Sequence, residues 1–349
     1  MGITGLVRGF FRKSPGALLS SSMAIDLGTA NTLIYMQGHG IVLEQPSVVA
    51  MERETNALVA VGAEAKSMIG RTGMSVQAIR PLKDGVITNA TATMAMLREF
   101  LSMARTKKFS MRPRVLVCVP SGITEVEISA VKTAMERAGA REVLLVPEPL
   151  ASAIGVGIPV EGAAGNMVVD IGGGTTEVAV ISLSSIAANN SIRIGGDEID
   201  EAISSHLKKQ YSLLIGERTA EEVKMAMGTV LEEDHGEYEV SGLDFVNGIP
   251  KTYVITSEDV KNALKEVVGT IVDAVRHGLE QTPPELASDI VDRGIVLTGG
   301  GALLRGLDRL LMSETGLPIR IADSPLTCTV LGAGIILENI YRYRNLLIQ

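Results

Sequence analysis

The stretch Asn166–Ser182, NMVVDIGGGTTEVAVIS, predicts the fold of the whole chain. Met167–Ile171 and Val178–Ile181 are short apolar runs rich in β-branched residues, which is typical of buried strands. The residues between them are too few for a crossover, so the two strands should pair as an antiparallel hairpin. Glycines let backbone N–H groups approach a ligand, and with Asp170 beside them they suit a polyphosphate and its Mg²⁺. Taken alone, however, the stretch is better explained as an ordinary glycine-rich turn.

A second stretch repeats this pattern far away in the chain. Met23–Met36, MAIDLGTANTLIYM, again runs from an apolar strand through Asp26 and a Gly-Thr loop into another strand. Because an internal repeat indicates a repeated structural unit, we expect two similar domains. Each should offer one phosphate-binding loop to a shared cleft.

A third glycine cluster, Gly299–Gly301, follows an apolar run at Gly294–Thr298. We expect a helix to open near Ala302, so that a nucleoside lies against its start. The sequence contains neither a G-x₄-G-K-[ST] motif nor a complete G-x-G-x-x-G motif. P-loop and Rossmann folds therefore lose their main support.

Composition excludes several classes of protein. The 349 residues are 46% hydrophobic with a mean hydropathy of +0.27, enough for a sizeable core. The net charge of −8 argues against a nucleic-acid partner. Two cysteines and four histidines without paired motifs favour a reduced, cytoplasmic protein and disfavour a transition-metal site.

The first 22 residues form a segment of their own, with a helix followed by a serine-rich tether. Its apolar residues share one helical face, and basic residues flank that face. The apolar residues are Ile3, Leu6, Val7, Phe10 and Phe11. This pattern predicts a helix lying in an anionic membrane interface, the alternative being a terminal helix docked on its own domain.

A basic loop at residues 107–113 presents Phe109 and Met111. These two side chains could provide a second membrane contact on the same face as the N-terminal helix. The alternative is a solvated connection between helix and strand.

Glu148 is another candidate functional residue, because it stands between Pro147 and Pro149 at the end of a predicted strand. Prolines on both sides hold its backbone, so the carboxylate could face the cleft. The alternative is an ordinary acidic residue in the first turn of a helix. Further along the chain, we expect Thr124 with Glu127 to form a helix capping box, and Thr219 to begin another helix.

The order of strands and helices predicts an α/β protein with two similar domains, each carrying a smaller inserted subdomain. We assign residues 1–22 to the amphipathic segment and 23–155 to domain I, with an insert at about 44–80. Residues 156–324 form domain II, with an insert at about 198–256. A C-terminal helix at about 325–349 returns to domain I.

Three motifs together resemble the phosphate and adenosine motifs of the actin–Hsp70–sugar kinase superfamily: DLGTANT at Asp26–Thr32, DIGGGTTE at Asp170–Glu177 and LTGGGALLRGLD at Leu297–Asp308. EQPSVVA at Glu44–Ala50 and GERTAEEVK at Gly216–Lys224 extend the resemblance to the MreB family of rod-shape-determining bacterial actins. The resemblance runs from about residue 23 to residue 340. One departure is Leu150 and Ser152, where the family more often has Met and Ala.

The resemblance implies an actin-like fold, ATP with Mg²⁺ in the cleft, weak ATP hydrolysis and polymerisation into filaments. It also implies a location on the inner face of the cytoplasmic membrane, with cell-wall elongation proteins as partners, where the filaments direct cell-wall synthesis and maintain rod shape. The sequence offers no evident buried base with a raised pKa, so turnover should fall well below the roughly 10 s⁻¹ enzyme median.

The same resemblance assigns roles to individual residues. Asp26 and Asp170 would position Mg²⁺ through water, and Glu148 and Thr175 would orient the attacking water. The residues implied in nucleotide binding are Thr29, Ala30, Asn31, Gly172, Gly173, Gly174, Glu221, Lys224, Gly299, Gly300, Gly301, Ala302 and Leu303.

Three other functions share parts of this pattern. An Hsp70-type chaperone would need a substrate-binding domain after the ATPase, and a sugar kinase would need a catalytic Asp with a hydroxyl-binding set in the cleft. A plasmid- or organelle-positioning actin would share the ATP site without requiring an amphipathic N-terminus. ATP-dependent pelleting with and without liposomes distinguishes them.

Overall fold

A computed structural model describes residues 22–105 and 112–348 of the chain. The seven membrane-contact residues expected from the sequence (Ile3, Leu6, Val7, Phe10, Phe11, Phe109 and Met111) lie outside the described residues. Within the described ranges, no helix is both long and apolar enough to cross a membrane.

The described residues form eighteen strands. They are β1 (Ser22–Leu27), β2 (Asn31–Met36), β3 (Gly40–Pro46), β4 (Val49–Glu52), β5 (Leu58–Val61), β6 (Val76–Ile79), β7 (Leu82–Lys83), β8 (Val86–Ile87), β9 (Arg114–Val119), β10 (Glu142–Pro147), β11 (Asn166–Ile171), β12 (Thr176–Ser182), β13 (Ser185–Ile192), β14 (Leu213–Leu214), β15 (Glu237–Asp244), β16 (Pro250–Thr256), β17 (Ile295–Thr298) and β18 (Ile319–Ile321).

Ten α-helices alternate with these strands within the same described ranges. They are α1 (Gly62–Met68), α2 (Ala90–Ala104), α3 (Glu125–Ala138), α4 (Glu148–Gly155), α5 (Gly196–Tyr211), α6 (Glu217–Met227), α7 (Ser257–Glu280), α8 (Pro284–Arg293), α9 (Leu307–Thr315) and α10 (Cys328–Glu338).

Two five-stranded sheets share one topology, which confirms the internal repeat. The first has the order β10-β9-β1-β2-β3, and the second has the order β13-β12-β11-β17-β18. In each sheet an antiparallel hairpin (β1–β2 or β11–β12) is extended by a third antiparallel strand, and two parallel strands join its other side. The predicted α/β class with two sheet-and-helix units is confirmed.

Each half also carries a small sheet. Strands β5-β4-β6 form one beside α1, and β14-β15-β16 form the other beside α5 and α6. Both small sheets fall inside the inserts expected from the sequence. The exact domain boundaries stay a prediction.

The two halves meet through α4 and α10, which pack between the large sheets. An added Cβ at Gly155 would overlap the carbonyl oxygen of Cys328, and one at Gly332 would overlap that of Ala151. Only glycine allows this approach, so the two helices lie backbone against backbone. Alanines such as Ala153 and Ala333 fill the remaining space in this buried layer.

Two local predictions from the sequence need correction. The chain after the third glycine cluster forms a short 3₁₀ turn, Gly300–Leu303, and the following α-helix begins only at Leu307. Helix α6 begins at Glu217 after an extended Gly216, two residues before Thr219. By contrast, the capping box of Thr124 and Glu127 is confirmed.

Candidate functional site

The loops of the two repeated hairpins meet in space. An ideal Cβ built on Gly173 would lie 2.8 Å from the Cβ of Ala30, and one on Gly174 would lie 3.0 Å from Oγ1 of Thr29. The turn between β11 and β12 is closed by the Gly172 N–H, which donates to the Thr175 carbonyl oxygen at 2.8 Å. Glycine is therefore required at positions 173 and 174, where the second loop approaches Ala30 and Thr29 of the first, and the two loops come together in one place.

The assigned loop residues differ in exposure. Thr29, Gly174 and Thr175 are buried where the loops touch, while Ala30, Asn31, Gly172 and Gly173 keep part of their surface exposed. The partly exposed members are the ones that a ligand can reach without displacing the contact between the loops.

Three carboxylates gather behind these loops. Asp26 and Asp170 occupy the same penultimate position in β1 and β11, and Glu148 is the first residue of α4. Burial and the neighbouring Asp170 raise the pKa of Asp26 to about 7. Burial, together with Asp26, Glu177 and Asp170, raises the pKa of Glu148 well above its ordinary value. Glu148 is therefore a base with a raised pKa that still keeps part of its surface exposed, a property that was not evident from the sequence.

The carboxylates fit a hydrated divalent cation. Besides burial, the charge of Asp170 raises the pKa of Asp26, and the charges of Asp26 and Asp170 raise that of Glu148. A cation nearby would favour the charged forms. Among the residues that the structure describes, no group of three or more His, Cys, Asp or Glu side chains could hold a metal directly. Mg²⁺ commonly keeps several waters and binds through one or two carboxylates plus substrate phosphates, so Asp26 and Asp170 suit it.

A fourth acidic residue, Glu177, is held beside these three carboxylates by hydroxyl groups. Its carboxylate accepts hydrogen bonds from the hydroxyls of Ser121 and Ser191 and from the Ser121 N–H at 3.1 Å. Burial raises the pKa of Glu177 in spite of these donors. Glu177 lies in the DIGGGTTE motif, but nothing in the sequence linked it to the distant serines.

On the side of α6, Lys224 and Glu221 have partners that the sequence did not indicate. The Lys224 Nζ donates to the Gly196 carbonyl oxygen at 2.9 Å and to Asp200 Oδ2 at 2.8 Å. The Gly196 N–H in turn donates to the Gly172 carbonyl oxygen at 3.0 Å. Lys224 is therefore linked to Gly172 of the phosphate loop through a single intervening residue, Gly196.

Glu221 forms an ion pair with Lys66 at 2.7 Å, and Arg80 forms another with Glu217. Lys66 lies on α1 of the first half, whereas Glu221 and Glu217 lie on α6 of the second half. These two pairs bridge the cleft between the inserts.

The third glycine cluster packs directly on β11. An added Cβ at Gly299 would overlap the Ile171 carbonyl oxygen, and one at Gly301 would overlap the Ile171 side chain. Ala302 is fully buried, while the side chain of Leu303 is 54% exposed. Since the turn here is only four residues long, the expected helix N-terminus beside a nucleoside is absent from this described segment.

The turn between β7 and β8 was missed by the sequence reasoning. Asp84 and Gly85 both have positive φ, 52° and 75°, and the Gly85 N–H donates to Thr29 Oγ1 at 3.2 Å. The Asp84 backbone lies against Gly174, and Asp84 Oδ1 is buried without a hydrogen-bond partner among the described residues. An Asp-Gly pair between short strands is a known hairpin signal, so the turn itself could have been found, although its contact with the phosphate loops could not.

Comparisons with known proteins point to one family. The family model described as "MreB/Mbl protein" matches residues 20–345. Cell shape-determining protein MreB of Escherichia coli (strain K12) is 52% identical over 330 residues, covering 93% of this chain and 95% of that protein. Cell shape-determining protein Mbl of Bacillus cereus is 49% identical over 326 residues, covering 93% and 98%.

Among solved structures, the crystal structure of MreB 5 of Spiroplasma citri bound to AMPPNP superimposes with a TM-score of 0.88 at 36% identity. The match covers 93% of this chain and 98% of that one. The actin-like arrangement expected from the sequence is thereby confirmed.

Proposed function

The chain belongs to the MreB/Mbl family, and on that premise we propose that it is an ATP-dependent, filament-forming cytoskeletal protein that takes part in determining cell shape. Two relatives that are about half identical to it over most of their length are named cell shape-determining proteins. A relative of the same fold binds AMPPNP, an ATP analogue. The observation that carries the proposal is the meeting of two glycine-rich hairpin loops beside three carboxylates.

In this proposal the two loops bind the polyphosphate. The backbone N–H groups of residues 29–31 and 173–175 donate to phosphate oxygens, while the Gly172 N–H closes the turn that presents the second set. The glycines leave room for the phosphates. Lys224 and Glu221 contact the ribose and base, and residues 299–303 lie along the adenosine. When bound, Mg²⁺ supplies charge neutralisation at the phosphates, and Asp26 and Asp170 hold its water ligands.

Hydrolysis requires that a water be oriented for in-line attack. Glu148, with Thr175, accepts a hydrogen bond from that water. Burial and the neighbouring carboxylates raise the pKa of Glu148 well above its ordinary value, which disfavours the ionised form that accepts on both oxygens. We therefore expect weak ATPase activity, with catalysis mostly by positioning.

We further propose that filaments form head to tail on the inner face of the cytoplasmic membrane. Contacts between unlike surfaces that do not close into a ring generate filaments, and the two inserts suit such contacts. Residues 1–22 and the loop at 107–113 would hold the filament on anionic lipid, as the sequence pattern predicts. Membrane proteins of cell-wall elongation are the partners that this location favours.

Sedimentation tests the proposal directly. Full-length protein with ATP and Mg²⁺ should pellet, and anionic liposomes should increase the pelleted fraction. The AMPPNP form should pellet at least as well, whereas protein in EDTA without nucleotide should stay in the supernatant. Protein that remains monomeric at high concentration with ATP and lipid would contradict a filament-forming function.

A further inference from the structure

The carboxylate of Asp170 is held from behind by two buried hydroxyl groups. Ser152 Oγ donates to Asp170 Oδ2 at 2.5 Å, and Thr329 Oγ1 donates to the same oxygen at 3.2 Å. The two hydroxyl oxygens are themselves 2.8 Å apart. Ser152 is fully buried, and Thr329 and Asp170 are 6% and 8% exposed. The three groups therefore form a closed polar cluster in the buried layer between the two halves.

The helices that carry these hydroxyls are fixed relative to each other. Ser152 lies on α4 and Thr329 lies on α10, whose backbones touch at Gly155 and Gly332. A serine within a helix often returns its hydroxyl to a backbone carbonyl of the preceding turn. Ser152 instead donates its one hydroxyl proton to Asp170, so its hydroxyl holds the carboxylate and does not bond to its own helix.

The cluster gives the two carboxylate oxygens different surroundings. Oδ2 accepts both hydroxyl hydrogen bonds, while Oδ1 lies against Gly299, at the third glycine cluster. Hydrogen bonds to an ionised carboxylate are about twice as strong as neutral ones. Rotation of the Asp170 carboxylate would break both of these hydrogen bonds at once, so Oδ2 stays turned toward Ser152 and Thr329 and Oδ1 stays turned away from them.

We propose that Ser152, supported by Thr329, is a positioning residue that fixes the Asp170 carboxylate so that its Oδ1 receives a water bound to Mg²⁺. The inference rests on the proposed nucleotide function, because the cation is the one that accompanies ATP. Partners behind a metal ligand typically change metal affinity 10–100-fold when they are removed.

The test measures the Mg²⁺ requirement of nucleotide binding in the full-length chain. The affinity for a fluorescent ADP is titrated against free Mg²⁺ and also measured in EDTA, for wild type and for Ser152→Ala. We expect the variant to need about tenfold more free Mg²⁺ for half of the Mg²⁺-dependent gain in affinity. In EDTA the two proteins should bind ADP within about twofold of each other. A change in the Mg²⁺ requirement with unchanged binding in EDTA distinguishes the positioning of a metal ligand from a general loss of structure.

Ser182→Ala is the matched control. Ser182 is 7% exposed and donates to the Ala163 carbonyl oxygen at 2.7 Å, at the end of β12 far from the phosphate loop. The Ser182→Ala variant loses a buried serine hydroxyl, as Ser152→Ala does, and its Mg²⁺ requirement for nucleotide binding should match that of wild type. Thr329→Val should shift the Mg²⁺ requirement in the same direction as Ser152→Ala, but by less, since its hydrogen bond is longer. If Ser152→Ala does not fold, the Thr329→Val comparison decides the inference by the presence or absence of that shift.

An unchanged Mg²⁺ requirement in Ser152→Ala, or an equal loss of affinity with Mg²⁺ and in EDTA, overturns the positioning role while the nucleotide function stands. Wild type that binds ADP no better with Mg²⁺ than in EDTA overturns both.

Discussion

Replacing Asp26 by asparagine should stabilise the nucleotide-free protein, although Asp26 belongs to the proposed ATP site. Burial and Asp170 raise the pKa of Asp26 from 3.8 to about 7. The Asp26 carboxyl group therefore loses its proton less readily in the folded protein than in the unfolded chain. Once ionised, the side chain places a charge next to other buried carboxylates. Carboxylates gathered to bind a cation are expected to lower the stability of the protein when the cation is not bound.

The magnitude follows from the raised pKa. At about 1.4 kcal/mol for each pKa unit, ionising Asp26 lowers the free energy of unfolding by at most about 4 kcal/mol. The contribution of Asp26 is fully present below its unfolded pKa and is lost as the pH rises through about 7. The advantage of Asp26→Asn should therefore grow from about pH 4 to about pH 7 and then level off. Typical total stabilities are about 5–15 kcal/mol, so the effect is measurable.

Urea unfolding in EDTA, at several pH values between 5 and 8.5, measures this advantage. Asp292→Asn, an exposed aspartate at the end of α8, is the control and should differ little from wild type across the range. With ATP and Mg²⁺ the order should reverse, because ligand binding stabilises wild type more than a variant that has lost a metal-site carboxylate. A gap between Asp26→Asn and wild type that stays constant across this pH range would refute the reasoning.

Three further predictions address hydrolysis, exchange and the membrane. Glu148→Gln should bind ATP like wild type but release phosphate about 100-fold more slowly and form longer-lived filaments. If the variant released phosphate at the wild-type rate, Glu148 would be only an acidic residue at the start of α4. Lys66→Gln removes the ion pair to Glu221 and should speed nucleotide release by up to about fivefold, since pairs near the surface contribute at most about 1 kcal/mol. The control is Lys261→Gln, whose ion pair to Glu232 stays within one half. Equal release rates in the two variants would contradict a role of Lys66 in bridging the cleft. Deleting residues 2–13 should free filaments from anionic liposomes in flotation while ATP binding is kept, and a truncated protein that still floats would identify the segment as a docked helix.

The sequence alone determined the repeated units and the fold class. The signals for each hairpin (apolar strand, aspartate, glycine loop, apolar strand) lie within about fifteen residues, so local strand preference and glycine geometry are enough to specify it. The capping box of Thr124 and Glu127 was predictable for the same reason, since its partners are three residues apart. Where the local signals were weaker, as at Thr219, the start of the helix was misplaced.

The chemistry of the site was decided by tertiary structure. The raised pKa of Glu148 depends first on burial and then on the charges of Asp26, Glu177 and Asp170, which the fold brings together from different strands. The same holds for the hydroxyls of Ser152 and Thr329, which reach one oxygen of Asp170 from two helices. Desolvation and through-space charge depend on distances after folding, and no local pattern of residues encodes them. The sequence could therefore name the carboxylates of the site, but only the packing of α4 and α10 against β11 shows which groups surround them.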